Sequence, residues 1–220
     1  MSAIWPSLWL SLRIALVATL LVVAVAVPLA FLMARRRFPG KSIIESLVTL
    51  PLVLPPTVVG YLLIVTLGSR GWAGRKLAHL FDYQFLFSTE AAVLAGAVVA
   101  LPLLYLTAKA AFATVERELE DIARLYGAGT LGIFWHVSLP LARRGILSGL
   151  ILAFARALGE FGATAMVFGI RSDETTLPIL IYHEWDTGRF EHSLAAVVAL
   201  LSMSLGLIAA YNYSTAGRQE

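Results

Sequence analysis

Long apolar runs alternate with short polar stretches along most of this chain of 220 residues. Five runs are long enough to cross a hydrocarbon core of about 30 Å as helices that rise about 1.5 Å per residue. They cover approximately residues 8–34, 43–67, 91–115, 146–169 and 193–213. The pattern predicts an all-α, polytopic membrane protein with about five transmembrane helices in a single domain, residues 1–220.

The longest stretch that carries many charges is residues 116–140, called here the 116–140 segment. Its first half has apolar residues at helical spacing, namely Leu119, Ile122, Ala123 and Tyr126. Gly127 can take the positive φ that ends such a helix. A second short helix can run from Thr130 until Pro140 interrupts it. The charged residues of the first helix are all expected in water, namely Glu116, Arg117, Glu118, Glu120, Asp121 and Arg124.

The second apolar run contains Pro51, Pro55 and Pro56. Three prolines remove backbone donors and preclude a regular helix, so the freed carbonyls need partners in protein or water. This run is therefore expected inside the helix bundle. Two interpretations stay open: a packed kink, or a broken element that lines or gates a pathway.

Arg156 and Glu160 are the two charged residues within the fourth run, four positions apart. At that spacing they would share one face of a helix. Because an isolated charge in a membrane costs roughly 2.5 to 3.5 kcal/mol on insertion scales, we expect the two to pair or to face a wet cavity. The pair is either a structural clip or part of a gate for an anion.

Composition supports a membrane protein and excludes several other classes. The chain is 59% hydrophobic and 14% charged, with a mean hydropathy of +0.80. The spans and loops leave no room for a soluble catalytic domain, so energy must come from another chain or from an ion gradient. There is no cysteine, which excludes disulfides and thiolate chemistry. The net charge of +3 needs no nucleic-acid partner.

The distribution of basic residues predicts the orientation, because cytoplasmic loops are enriched in Lys and Arg. With the 116–140 segment inside, the inner side holds Arg35, Arg36, Arg37, Lys41, Lys109, Arg117, Arg124, Arg143, Arg144 and Arg218. The outer side holds Arg70, Arg75, Lys76, Arg171 and Arg189. The N-terminus is then outside and the C-terminus cytoplasmic.

Three blocks of sequence carry a resemblance to a known family. Asp121-Ile122-Ala123, Gly127 and then Val137-x-Leu139-Pro140 resemble the EAA loop of binding-protein-dependent ABC importers. Asp121 stands where that pattern has Glu, and Ile122 where it has the first Ala. The blocks LPLVLPPTVVGYLL and FARALGEFGAT resemble, more narrowly, the membrane subunit of molybdate importers, with sulfate permeases as close relatives.

The resemblance implies a type I ABC importer permease fold and a non-enzymatic subunit of the prokaryotic inner membrane. The EAA-like residues would contact an ATP-binding subunit, two copies of which bind the ATP and Mg; this chain would hold no cofactor. Further expected partners are a second copy of the chain, membrane lipid, and a periplasmic or extracellular binding protein that delivers the oxyanion. Molybdate is the expected substrate, ahead of tungstate and sulfate.

Two other functions are weighed beside the importer permease. An ion-coupled secondary transporter usually has inverted repeats and intramembrane acids, whereas this sequence has no visible repeat and one such acid. An intramembrane enzyme lacks a catalytic constellation. In the outer loop, residues 171–192, four side chains that could ligate a metal do not have the spacing of a metal motif, and a solvated face is expected; they are His183, Glu184, Asp186 and His192.

Overall fold

The computed structural model describes residues 4–81, 85–169 and 175–216, and every regular element in these ranges is helical. The helices are α1 (Ile4–Arg35), α2 (Lys41–Thr49), α3 (Pro56–Leu67), α4 (Trp72–Phe81), α5 (Thr89–Ala113), α6 (Arg117–Leu125), α7 (Thr130–Ile133), α8 (Leu139–Leu158), α9 (Gly162–Phe168), α10 (Leu177–Asp186) and α11 (Phe190–Ala216). The prediction of an all-α chain is confirmed. Arg171 and Arg218 lie outside the described residues.

Four continuous helices are long and apolar enough to cross a membrane in the part of the chain that the structure describes. They are Ile4–Arg35, Thr89–Ala113, Thr130–Leu158 and Phe190–Tyr213. A fifth span exists if the bent pair Lys41–Leu52 and Pro56–Lys76 is counted as one. The predicted number of about five therefore agrees with the structure.

Helix α5 is the centre of the bundle and packs between α1 and α8. Small side chains permit this close packing, since Ala95 and Ala100 are fully buried and a Cβ built on Gly96 would lie 3.5 Å from Ala18 Cβ. Close approach of helices through small residues is typical of membrane bundles. On α8, a Cβ at Gly149 would lie 1.9 Å from Thr107 Oγ1, so only glycine fits there.

The proline-rich second run is broken, as predicted. After α2 the chain makes a 3₁₀ turn at Leu50–Leu52, and α3 begins at Pro56. The two parts meet at an angle of 113°. Backbone groups at the bend remain bonded, because Leu54 N–H donates to Leu50 C=O and Val58 N–H donates to Pro55 C=O.

The fourth run is also broken, and the prediction of one helix over residues 146–169 is wrong. Helix α8 ends at Leu158, and α9 begins at Gly162. The broken point follows Gly159, and glycine weakens a helix by leaving the backbone unrestrained. Arg156 and Glu160 therefore do not lie on the same helix.

Pro140 does not interrupt the helix that begins at Thr130, contrary to the sequence-based expectation. A π-helical turn, Phe134–Ser138, joins α7 to α8, and the N–H of Leu139 donates to Phe134 C=O. A regular helix would bring the Pro140 ring against the carbonyl four residues earlier, and the wider π turn moves that carbonyl away. The helix that contains the fourth span therefore begins within the 116–140 segment.

The described part of the loop before α11, residues 175–189, is more ordered than expected. It contains α10, whose residues Leu177 and Ile179 are fully buried and Leu180 is nearly so. Helix α10 packs on α11 and α1, and the N–H of Leu177 donates to Ser11 Oγ at 2.8 Å. The expected solvated face is therefore limited to the side of α10 that carries the exposed residues Tyr182, Trp185 and Asp186.

Candidate functional site

The first half of the 116–140 segment is a helix closed by a glycine. Helix α6 ends at Leu125, and Gly127 has φ +87°, which confirms the predicted left-handed conformation. Gly127 N–H donates to Arg124 C=O at 2.9 Å, and Ala128 N–H donates to Ala123 C=O at 3.0 Å. This pair of bonds is the Schellman ending of a helix. The turn therefore has a defined shape that depends on a residue tolerant of positive φ.

Large apolar side chains project from this turn into open space, and they are called here the apolar patch. Its members are Ile122, Leu125, Tyr126, Leu131 and Trp135. Leu125 is 87% exposed and Tyr126 is 89% exposed, although both flank a well-formed turn. Large exposed apolar side chains beside the charged residues of α6 indicate a surface that another protein covers.

The residues that resemble the EAA loop occupy different positions around this patch. Asp121 is exposed and pairs with Arg124. Ala123 is partly buried on α6, and so are Val137 in the π-helical turn and Leu139 at the start of α8. Leu139 packs against the main core, and Pro140 is exposed at the start of α8.

Glu120 lies in the same helix but points inward, contrary to the expectation that all charges of α6 face water. It is 1% exposed. Its Oε1 accepts hydrogen bonds from Arg35 Nε at 2.8 Å and from Ser138 Oγ at 2.7 Å. Arg35 also donates to Val115 C=O at 3.0 Å. One carboxylate thus joins α6 to the end of α1 and to the π-helical turn, and we call this group the Glu120 clasp.

Three aromatic rings pack beside the Glu120 clasp. The rings of Phe31 and Phe134 are 5.1 Å apart, and those of Phe31 and Phe112 are 5.4 Å apart, both in edge-on geometry. Such pairs add roughly 0.5 to 1.5 kcal/mol beyond the area that they bury. The Glu120 clasp and these three rings therefore fix the segment that carries the apolar patch to α1 and α5.

The two broken points of the membrane region lie against each other. A Cβ built on Gly162, at the start of α9, would lie 3.0 Å from Pro56 Cβ, at the start of α3. Further along, a Cβ at Gly60 would lie 2.9 Å from Ala163 C=O. Of the other two prolines, Pro51 is in the 3₁₀ turn and Pro55 directly precedes α3. The structure thus brings Pro56 and the FARALGEFGAT block together.

Arg156 and Glu160 form the expected ion pair, with Arg156 Nη1 2.5 Å from Glu160 Oε2. The Glu160 side chain is 1% exposed and that of Arg156 is 32% exposed. The other carboxylate oxygen of Glu160 accepts from Ala163 N–H at 2.8 Å. Glu160 therefore caps the start of α9 while Arg156 lies in the last turn of α8.

This arrangement suits the charges at both helix ends. A helix has partial positive charge at its N-terminus and partial negative charge at its C-terminus, so an acid is favourable at the first and a base at the second. Glu160 also satisfies a backbone donor at the break between α8 and α9, because Ala163 N–H would otherwise lack an acceptor in a buried site. The pair stabilises the break itself.

The structure pairs two of the four side chains that were considered as metal ligands, Glu184 and His192. Glu184 is buried and lies 3.0 Å from Arg189 Nε and 3.5 Å from His192 Nδ1. Among the described residues, no group of three or more His, Asp and Glu side chains is arranged to hold a metal ion.

Replacing Glu120 tests the clasp. Glu120→Ala leaves the guanidinium of Arg35 buried without its carboxylate and should lower the free energy of unfolding by about 3 kcal/mol. Asp121→Ala, the exposed neighbouring acid, should change it by less than about 0.5 kcal/mol. Unfolding of the purified chain in mixed micelles measures both variants. Equal effects of the two substitutions would contradict the clasp.

The Arg156–Glu160 pair is tested by a double-mutant cycle. The sum of the destabilisations caused by Glu160→Ala and by Arg156→Ala should exceed the destabilisation of the double variant, with a coupling of roughly 1 to 3 kcal/mol. Glu160→Gln separates the ion pair with Arg156 from the capping of α9, since glutamine keeps an acceptor for Ala163 N–H but carries no charge. Unfolding in mixed micelles is again the measurement, and additive effects would mean that the residues act separately.

The chain matches the family described as "Binding-protein-dependent transport system inner membrane component" over residues 26–217. It is 42% identical over 205 residues to the Escherichia coli (strain K12) molybdenum transport system permease protein ModB, covering 93% of this chain and 89% of that protein. The putative molybdenum permease YvgM of Bacillus subtilis (strain 168) is 42% identical, with coverages of 89% and 86%. The sulfate permease CysW of Synechocystis is 34% identical, with coverages of 87% and 72%.

Solved structures of low sequence identity share the fold. The structure of the MetNI methionine ABC transporter in an inward-facing conformation aligns with a TM-score of 0.71 at 15% identity, covering 98% of this chain and 97% of that chain. A bacterial alginate ABC transporter aligns with a TM-score of 0.72 at 15% identity, covering 97% and 78%. The fold is that of a type I ABC importer permease, and the chain belongs to the family of binding-protein-dependent transport system inner membrane components.

Proposed function

We propose that this chain is the permease subunit of an ABC importer that moves molybdate across the cytoplasmic membrane. The observation that carries the substrate is the 42% identity, across 93% of the chain, to a molybdenum permease. The chain itself is not an enzyme in this proposal. A separate subunit binds ATP and Mg and hydrolyses the ATP.

The 116–140 segment is the contact with that subunit. Its apolar patch is exposed on a turn that Gly127 shapes, and the Glu120 clasp fixes the base of the turn to α1. A rigid, exposed apolar protrusion suits docking into a groove. Burial of the apolar patch in the complex would remove the free-energy cost of exposing its side chains to water. Two copies of the chain supply two such protrusions for two ATP-binding subunits.

The broken elements around Pro56 and Glu160 are the part of the bundle that gates the pathway. Helices that stop inside the membrane are tolerated where their ends face protein or a water-filled cavity, which an oxyanion needs in order to cross. Arg156 is about a third exposed in the single chain, so its guanidinium is accessible from one side. Pro51 and Pro55 shape the bend that positions α3.

The remaining partners and the orientation follow from the same proposal. Five spans from one copy make half of a pathway, and a second copy related by two-fold symmetry completes it. A periplasmic or extracellular binding protein delivers the oxyanion to the outer mouth. The excess of basic residues on the side of the 116–140 segment supports a cytoplasmic C-terminus and an outer N-terminus.

Tungstate and then sulfate are the alternative substrates. All three are tetrahedral dianions that water, backbone dipoles or a basic residue can shield. The 34% identity to a sulfate permease favours sulfate over anions of other shapes. An ion-coupled secondary transporter is disfavoured by the family to which the chain belongs.

Uptake into vesicles tests the substrate. Vesicles that contain this chain, its ATP-binding subunit and its binding protein should accumulate labelled molybdate only when ATP is supplied. Tungstate should compete, whereas sulfate at the same concentration should not. Loss of uptake with equal sulfate, or no accumulation with ATP, would overturn the choice of molybdate. Failure of the ATP-binding subunit to co-purify would overturn the importer itself.

Gly127→Val tests the coupling role. A Cβ at this position would meet nothing within 4 Å, so the expected effect comes from the positive φ, at a cost of roughly 1 to 3 kcal/mol. ATP-driven uptake should fail while the protein still inserts in the membrane. The control is Gly129→Val, at φ −72° and ψ 169°, where a β-branched residue is unstrained and space is also open. Normal uptake by Gly127→Val would remove the basis for this role.

The orientation is tested with reporters fused after Glu220. A reporter that is active only in the cytoplasm should be active there, because the C-terminus is proposed to lie inside. A periplasm-specific reporter at the same position should be silent. The opposite pair of results would reverse the topology and place the apolar patch outside.

A further inference from the structure

The run Arg35-Arg36-Arg37 at the end of α1 is divided between two environments. Arg35 points inward and belongs to the Glu120 clasp. Arg36 and Arg37 are exposed, and no acidic side chain among the described residues pairs with either guanidinium. Two unpaired guanidinium groups therefore remain at the point where a membrane-spanning helix ends.

These two arginines line a cavity with an apolar wall. The cavity has a volume of about 420 Å³, and its other lining residues are Leu32, Met33 and Phe38. Leu32 is 40% exposed and Phe38 is 38% exposed, so the apolar wall is open to the outside of the bundle. Leu32 and Met33 lie in the last turn of the apolar run, and the arginines follow directly.

The neighbouring helix α2 adds apolar surface without adding negative charge. Ile43 and Leu47 are more than half exposed on it. Its acid, Glu45, is 2.6 Å from Lys109 Nζ and 4.0 Å from Lys41 Nζ. Glu45 is thus already compensated, and the positive charge of the arginines is not cancelled locally.

We infer that this cavity binds the headgroup of an anionic phospholipid, with Arg36 and Arg37 on the phosphate and with Leu32 and Phe38 against the start of an acyl chain. Arginine binds phosphate in a bidentate geometry, and basic pockets beside membrane helices are suited to anionic headgroups. The assignment to the inner leaflet rests on the proposed orientation. An acidic protein surface would match the charge but not an apolar wall that continues a membrane span.

Lipid retention tests the site. The full-length chain is placed in nanodiscs of phosphatidylcholine that contain some phosphatidylglycerol, extracted gently, and analysed by native mass spectrometry for retained lipid. The wild type should retain phosphatidylglycerol in preference to phosphatidylcholine. Arg36→Gln with Arg37→Gln should weaken that retention by about fivefold for each guanidinium removed. Phe38→Ala should also weaken it, although it changes no charge.

The matched control removes two other basic residues from the same side of the membrane. Arg143→Gln with Arg144→Gln makes the same change in charge at exposed positions of α8 and should leave retention unchanged. Equal losses in both double variants, or displacement of the lipid by inorganic phosphate, would overturn the lipid site. So would a double variant at Arg36 and Arg37 that keeps its phosphatidylglycerol but no longer co-elutes with the ATP-binding subunit, since that result marks a protein contact.

Discussion

A backbone N–H or C=O group without a hydrogen-bond partner has a high free-energy cost in a membrane. This cost explains how the two helix breaks in the membrane region of this chain are built. At the first break, turns around Leu50 and Pro55 keep the nearby N–H groups bonded to carbonyls. At the second, the Glu160 side chain accepts the N–H that opens α9, and Arg156 balances the charge. Each break also covers the other, because Pro56 and Gly162 are in contact.

The end of the bundle that carries the 116–140 segment follows a different rule, since polar groups there fix one orientation of a protruding segment. The Glu120 clasp buries a carboxylate among donors from α1 and the π-helical turn, while the apolar side chains above it remain outside. The buried residue of α6 is thus an acid, while Ile122 and Leu125 of the same helix are exposed. A buried ion pair adds little net stability, but it strongly disfavours arrangements in which either partner is left alone.

Several features could be predicted from the sequence because they depend on local chemistry. Positive φ at Gly127, the bend near Pro56 and the pairing of Arg156 with Glu160 all follow from residue types at short spacing. The burial of Glu120 could not be predicted, since its partner Arg35 is 85 positions away and helical spacing favoured the opposite face. The π-helical turn was missed because a proline ordinarily signals the end of a helix, and the wider turn removes the steric reason for that rule.

The close contact between α3 and α9 has a mechanical consequence. A Cβ at Gly60 would meet both Met166 and the backbone of Ala163, so the two short helices are too close to slide past each other without separating. Segments about a hundred positions apart in the chain therefore form one rigid block, and this block packs on α5 through Val59, Ala163 and Val167. A displacement of α3 along α5 therefore carries α9 with it, so a change at either break is passed to the other.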